Sequence, residues 1–333
     1  MQHRPVLFRP ALLACVAGLV ACGGDATDDA AASGDEAVEA ASAAPSWSVP
    51  APDPEVAPGS HVVDVVAEDY AFEAPDSIAS GWTTFRLHNE GEETHFVLVT
   101  RLPDGQTFDD YAGQVSAAVN EAWYQMRDEG LSKAAAFEML GGAIPAWYWE
   151  GAETFGGPGM VIPGGVSQVT VDLAPGEYVL ECFMKNADGE FHWSEGMLAP
   201  LTVTEERSGA SAPEAQVRLT LTTEGIQMEG EPVAGTNTVE VDFADQPDVG
   251  FGNDIHVVHL EDGTTPESLI AWLDAFNVPG LQNPAPAPFV GGTEERPEGN
   301  SIFFSVDLVP GRYAFISESP EEVGGLFTEF TVN

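Results

Sequence analysis

Four side chains of this sequence could together bind a soft metal ion. Cys182 is the single cysteine in the body of the chain, and His192 and Met197 follow it in the stretch YVLECFMKNADGEFHWSEGMLAPLTV. His95 opens an earlier apolar segment, HFVLV. A thiolate, two imidazoles and a weak thioether are the donors of an electron-transfer copper site, because thiolate and thioether favour Cu(I) while imidazole tolerates Cu(II). The alternative is that Cys182 is a small buried hydrophobe and that His95 is structural.

These donors can meet only if the ends of their strands converge. In EYVLECF, Tyr178, Leu180 and Cys182 share one face of a strand, and Cys182 lies where that strand ends. His95 lies where another strand begins, just after the turn HNEGEET. The loops at one end of a β-sandwich cluster together. We therefore expect His95, Cys182, His192 and Met197 to gather at one end of such a sandwich.

The first half of the chain has the pattern of an all-β fold. Short alternating segments are separated by turn signals such as LPDG, IPGG and APGE, which is typical of a sandwich. The predicted strands lie at 61–72, 83–88, 95–102, 167–173, 177–183 and 198–204. Residues 108–142 break the pattern, because they are Ala-rich and have apolar residues at helical spacing. They predict two helices placed between strands.

The second half of the sequence repeats the first. VDLAPGEYVLEC (171–182) aligns with VDLVPGRYAFIS (306–317), and RLPDGQT (101–107) aligns with HLEDGTT (259–265). PESLIAWLDAF (266–276) is a shorter version of the helical segment. Because a polar, loop-like stretch separates the halves, we predict two tandem β-sandwich domains, 59–206 and 213–333, the first with a helical insertion.

The motifs around the four donors resemble those of a known family. NEGEETH (89–95) resembles the Asn-x-Gly…His turn of plastocyanin-like cupredoxins, the type 1 blue copper proteins, and PGEYVLEC followed by His-x4-Met resembles their Cys…His-x4-Met segment. The likeness covers roughly residues 61–205 and departs from familiar members in the nine residues between Cys182 and His192. It implies a Greek-key sandwich and a one-electron carrier that binds copper through equatorial His95, Cys182 and His192 and axial Met197.

The second repeat lacks the same donors. The alignment places Asn253 at the position of His95, Ser317 at that of Cys182 and Leu326 at that of Met197. The segment after Ser317 contains no histidine. We therefore expect the domain 213–333 to be a degenerate cupredoxin-like domain without copper. Drift after a duplication would produce the same pattern and would say nothing about copper.

The N-terminus predicts export and a lipid anchor. Residues 1–21 have a basic start, a short apolar run and small residues, as in an export signal. They lead into LVAC, which resembles a bacterial lipobox, so Cys22 is the predicted lipidated residue; the alternative is an ordinary cleaved signal. Residues 22–58 are nearly free of large apolar side chains and predict a disordered acidic tether. We expect a protein of the cell envelope, anchored on the periplasmic or extracellular side.

The charge of the chain excludes several functions. The formal charge is −43, and the loss of Arg4 and Arg9 with the signal lowers it to −45. A nucleic-acid partner is excluded because its phosphates would be repelled, and contact with a membrane should come only through the lipid. The acidity could complement a basic partner, but a salty habitat is the simpler interpretation.

The sequence does not predict an enzyme. We find no Ser-His-Asp order and no paired-carboxylate motif that would support hydrolysis. The leading hypothesis is a lipid-anchored copper protein that carries single electrons to a redox partner that the sequence does not name. The alternatives are a binding or structural module without metal, and a copper delivery or storage protein.

Overall fold

A computed structural model describes residues 52–247, 252–318 and 326–333 of the chain. The predicted signal, Cys22 and residues 23–51 of the predicted tether lie outside this part. Strands are more common than helices among the described residues, so the fold is mainly β, as the sequence predicts. No helix among them is long and apolar enough to cross a bilayer.

The strands of the first half form two groups that share one long strand. They are β1 (Val62–Glu68), β2 (Ala71–Glu73), β3 (Ser77–Asn89), β4 (Leu98–Arg101), β5 (Glu153–Thr154), β6 (Val166–Leu173), β7 (Gly176–Glu181) and β8 (Leu198–Arg207). The start of β3 runs parallel to β8, and the rest of β3 pairs with β1 and β6. β8, β7, β4 and β5 follow one another in the second group.

Side-chain alternation explains why these strands bury one face. In β1, the sequence VVDVVAE buries Val63, Val65 and Ala67 and turns the residues between them outward, as a period of two requires. Phe85 of β3 and Leu180 of β7 lie in the same hydrophobic core although they belong to different strand groups. This shared core fixes the positions of the strand ends that carry the predicted donors.

The second half pairs its strands in the same order. They are β9 (Val217–Thr222), β10 (Gly225–Glu229), β11 (Gly235–Phe243), β12 (Ile255–His259), β13 (Phe289–Thr293), β14 (Ser301–Leu308), β15 (Gly311–Ser317) and β16 (Leu326–Val332). β9–β11–β14 corresponds to β1–β3–β6, and β12–β15–β16 corresponds to β4–β7–β8. The repeat read from the sequence therefore has a counterpart in strand pairing.

The two halves share a sheet. β14 pairs antiparallel with β6, with Phe304 opposite Val169, so that one sheet of twelve strands runs through both halves. An isolated bridge between Val161 and Val290 joins them a second time. The sequence did not predict this continuity, and two separate tandem sandwiches remain a prediction.

Helices fill the chain between β4 and β5, where the sequence predicts two. The structure has α1 (Phe108–Asp110), a π-helical turn (Tyr111–Ser116), α2 (Ala117–Glu129), α3 (Lys133–Ala143) and α4 (Ala146–Gly151), with α5 (His192–Glu195) and α6 (Pro266–Leu273) further along the chain. Thr107 and Asp110 form a capping box at the start, and Gly130 ends α2 in a left-handed conformation. α4 lies beyond the predicted helical range.

Candidate metal centre

The structure brings three of the predicted donors together at one end of the β4–β7–β8 group. His95 precedes β4 and is held by a main-chain bridge to Val161. Cys182 directly follows β7, and His192 is the first residue of α5. All three side chains are fully buried. The strand β4 begins at Leu98, three residues later than predicted, so His95 lies in the connection before it.

The three donor atoms form a compact triangle. The Nδ1 atoms of His95 and His192 are 3.1 Å apart, and the Cys182 Sγ atom lies 3.9 Å from the first and 3.6 Å from the second. A point equidistant from the corners of this triangle is about 2.1 Å from each, which matches metal–nitrogen and metal–sulfur bonds of about 2.0–2.3 Å. The triangle therefore has the size that a coordinated ion requires.

Two carboxylates orient the imidazoles. The Nε2 atom of His95 is 2.6 Å from an Asp69 oxygen, and the Nε2 atom of His192 is 2.8 Å from a Glu93 oxygen. Each contact places the ring proton on Nε2 and leaves the Nδ1 lone pair free, which is the usual arrangement around a metal-binding histidine. With both ring protons on Nε2, two lone pairs would face each other across 3.1 Å, and a shared proton or a cation between them would relieve their repulsion.

Burial shifts the pKa values of His192 and Cys182, and only the shift at the histidine favours the form that a metal binds. Desolvation, followed by the electrostatic effect of the neighbouring His95 ring, lowers the pKa of His192 well below its usual range, so the His192 ring is neutral. Desolvation raises the pKa of the Cys182 thiol, although main-chain hydrogen bonds from Phe96 and Met184 act in the opposite direction. A buried thiolate needs a nearby positive charge, and a bound metal ion supplies one.

Met197 is attached to this group through its main chain. Its N–H donates to the His192 carbonyl at 3.0 Å, and its carbonyl accepts the Cys182 N–H at 3.3 Å. The residue is fully buried and lies just before β8. The fold thus keeps Met197 next to both donors, and its role as an axial ligand stays a prediction.

The second half braces the loop between Cys182 and His192. The Asn283 Oδ1 atom accepts the Thr94 N–H at 3.0 Å, next to His95. The same residue donates to the Lys185 carbonyl from its side chain at 3.2 Å and from its main chain at 2.7 Å. Because the loop has nine residues, it needs outside contacts to hold one conformation. Asn283 ties the His95 and Cys182 sides of the centre together.

Lys185 anchors the same loop from within. Its side chain is fully buried, and its Nζ atom donates to the carbonyls of Ala275 and Asn277 at 2.8 and 3.0 Å. The same Nζ atom also lies 3.8 Å from the centre of the Trp123 ring of α2. The helices of the first half and the 274–283 loop of the second therefore meet on this one lysine.

Sequence reasoning missed the residues that support the donors. No motif links Asp69 or Asn283 to the histidines, and Glu93, although it lies within NEGEETH, is one of three acidic residues there that the sequence does not distinguish. Asn89, which lies in the NEGEETH turn, donates to the carbonyls of Glu93 and Val161, each at 2.8 Å. That turn is the one signal in the sequence that could have indicated some of the residues that hold the histidines in place.

The positions of the donors in the second half carry other side chains. Asn253 and Ser317 are buried there, and the Ser317 Oγ atom accepts the Asp254 N–H at 3.2 Å. Leu326 is buried at the start of β16. Within the described ranges, no thiol or second pair of histidines meets at this end of the second half.

Comparisons with known proteins give only distant likenesses. No family model and no curated protein matches the sequence. A reduced auracyanin from the photosynthetic bacterium Roseiflexus castenholzii has a TM-score of 0.25 and 19% identity and covers 44% of this chain and 98% of its own. Auracyanin A, a "blue" copper protein from Chloroflexus aurantiacus, has a TM-score of 0.26 and 15% identity, with coverages of 43% and 98%.

A larger solved structure matches across both halves. A multicopper oxidase has a TM-score of 0.22 and 12% identity and covers 82% of this chain and 88% of its own. TM-scores at this level leave the function to be argued from the site. The donor set itself points to copper, because two imidazoles and a thiolate form the trigonal group of an electron-transfer copper site.

Proposed function

We propose that this protein is an exported, lipid-anchored, cupredoxin-like electron carrier with copper held by His95, Cys182, His192 and Met197. The triangle of two Nδ1 atoms and one Sγ atom supports the proposal most strongly. Copper bound there would supply a one-electron couple. The second half would serve as a copper-free domain that stabilises the first.

The protein's own residues suit such a couple because they restrict movement. Asp69 and Glu93 hold the imidazoles by their Nε2 atoms, and Asn283 fixes both chain segments that carry the donors. The donor side chains are fully buried, so bulk water is excluded from them. A rigid, dry donor set limits the rearrangement that accompanies a change of charge.

Burial favours a carrier over a delivery protein. A protein that passes its metal to a partner needs ligands that the partner can reach, whereas His95, Cys182 and His192 are fully buried. Electrons can still leave through neighbouring rings. The part-exposed ring of Tyr70 lies 4.8 Å from the His192 ring, centre to centre. This aromatic pair is our candidate route for electrons to a redox partner.

Voltammetry of the copper-loaded protein tests the carrier role. We expect one reversible one-electron couple, together with copper that a moderate chelator removes slowly. Tyr70→Leu should slow electron exchange with a soluble redox dye while leaving the potential nearly unchanged. A matched control is Tyr124→Leu, because Tyr124 is a half-buried tyrosine on α2. Rapid transfer of copper to the chelator without a reversible couple would favour delivery and contradict the proposal.

A further inference from the structure

A second group of metal-binding side chains lies in the second half. Ligand atoms of Asp254, His256 and Glu294 all lie within 4.8 Å of one another, and all three residues are buried. Glu318 joins them, since its Oε1 atom and the Asp254 Oδ2 atom are each 3.2 Å from the His256 Nε2 atom. Three carboxyl groups thus converge on one buried place.

Within this group, Glu294 has a buried oxygen atom without a hydrogen-bond partner. The residue is only 1% exposed, and its Oε1 atom has no hydrogen-bond partner. Arg296 does not compensate for it, because that guanidinium lies over the Phe155 ring and donates to Asn300. Within the described ranges, His256 pairs with Asp254 and Glu318, but no lysine or arginine forms an ion pair with any of the three carboxyls. A buried acceptor of this kind requires a proton or a cation.

His256 orients the carboxylates and does not complete a nitrogen site. Its Nδ1 atom accepts the Met160 main-chain N–H at 3.2 Å, which leaves the ring proton on Nε2. That proton points toward Asp254 and Glu318. The side chains that remain to face an ion are therefore carboxylates, and oxygen ligands select hard cations.

The group sits where the first half carries its soft donors. Asp254 follows Asn253, which aligns with His95, and Glu318 follows Ser317, which aligns with Cys182. Asp254 and Glu318 are also hydrogen-bonded to each other through the Glu318 N–H at 2.8 Å. The same end of the repeated strand arrangement thus offers carboxylates in place of a thiolate and two imidazoles.

We propose that Asp254, Glu294 and Glu318 bind one hard divalent cation of the Ca²⁺ or Mn²⁺ class. This site is independent of the copper centre and would stabilise the second half. Burial raises the pKa of Glu294 well above its ordinary value; the neighbouring His256 opposes this rise, and the Glu318 and Asp254 carboxyls add to it. Protons and a metal ion compete for the same carboxylate oxygens, so a bound cation would release any protons that the group holds.

Equilibrium dialysis of the full mature chain against Mn²⁺ and Ca²⁺ tests the proposal. Hard cations avoid the thiolate–imidazole centre, and about 0.5 M KCl screens the acidic surface by shortening the Debye length to about 4 Å. We expect one Mn²⁺ or Ca²⁺ per chain, bound with release of protons and with a rise in melting temperature. Glu294→Gln should weaken binding by about tenfold or more.

The control is Glu298→Gln, which removes an exposed carboxylate four residues away and should leave the affinity unchanged. Near-ultraviolet circular dichroism would establish that both variants fold. Equal binding by wild type and Glu294→Gln would overturn the proposal. It would also be overturned if no cation bound and the melting temperature responded to pH alone, since the group would then hold only protons.

Discussion

His95 and His192 face each other with their Nδ1 atoms 3.1 Å apart, while their Nε2 atoms are held by Asp69 and Glu93. Neither ring can turn away without losing its carboxylate partner. The Cys182 Sγ atom completes the triangle from the end of β7. The support of the rings, as much as the donors themselves, should therefore govern metal binding.

Gly91 permits the contact between Asp69 and His95. A Cβ atom at Gly91 would lie against the Asp69 Oδ1 atom and 2.8 Å from the His95 Nε2 atom. Gly91→Ala should therefore separate this pair and lower copper affinity by about tenfold or more, as losses around metal ligands commonly do. Competition with a chelator of known affinity measures the change. Gly141→Ala is the control, because a Cβ there meets nothing within 4 Å; equal affinities would contradict the role of Gly91.

Met197 should tune the copper centre without being essential to it. Met197→Leu should retain copper and raise the reduction potential, because a weak donor to the ion is lost. Voltammetry of both proteins measures the shift. Met126→Leu replaces another buried methionine, in α2, and should leave the potential unchanged. An unshifted potential in Met197→Leu would remove Met197 from the ligand set.

Asn283 should couple the second half to the copper centre. Asn283→Ala leaves the Thr94 N–H without its partner and should cost about 1–3 kcal/mol of stability while making copper dissociate faster. Asn237→Ala is a matched control, because Asn237 is also buried and bonds main-chain groups, at Val233 and Gly235. Both variants should lose stability, and only Asn283→Ala should change the dissociation rate of copper. If copper dissociated at the same rate from both variants, that result would contradict a role of Asn283 in holding the copper centre together.

Lys185 should make stability depend on alkaline pH. Burial lowers its pKa to about 7, whereas the unfolded chain keeps the usual value of about 10.4. Between these values the unfolded state holds a proton that the folded state lacks, so the free energy of unfolding should rise with pH. Lys185→Met removes this pH-dependent contribution to the free energy of unfolding. Urea unfolding should show the difference, wild type minus variant, increasing from pH 7 to pH 10; a flat difference would contradict the lowered pKa.

The sequence predicted that His95, Cys182 and His192 would come together because they lie at or near strand ends. Cys182 closes a strand with an alternating pattern, and His95 follows a turn, so their convergence follows from a β-sandwich. His192 fell near them because the chain returns from Cys182 to the next strand. The repeat was readable as well, since strand order in the second half matches the first.

Contacts between distant segments were beyond the sequence. Asn283 meets Thr94 across 189 residues, and Asp69 meets His95 without a motif. The pairing of β14 with β6 depends on how the halves pack. It also means that residues 213–333 in isolation would lack the β6 strand that β14 pairs with, so copper binding by the second half is better tested in the full chain.

Copper content and visible absorption of the purified full chain test the central claim most directly. Three proteins should be loaded with copper and zinc together: the wild type, the Cys182→Ser variant, and the Ser317→Ala variant as a control from the second half. We predict one copper per chain with a thiolate-to-copper charge-transfer band in wild type and Ser317→Ala, and the loss of the band and of most copper in Cys182→Ser. Wild-type protein without copper or without the band, or a Cys182→Ser variant that binds copper equally well, would contradict the copper centre.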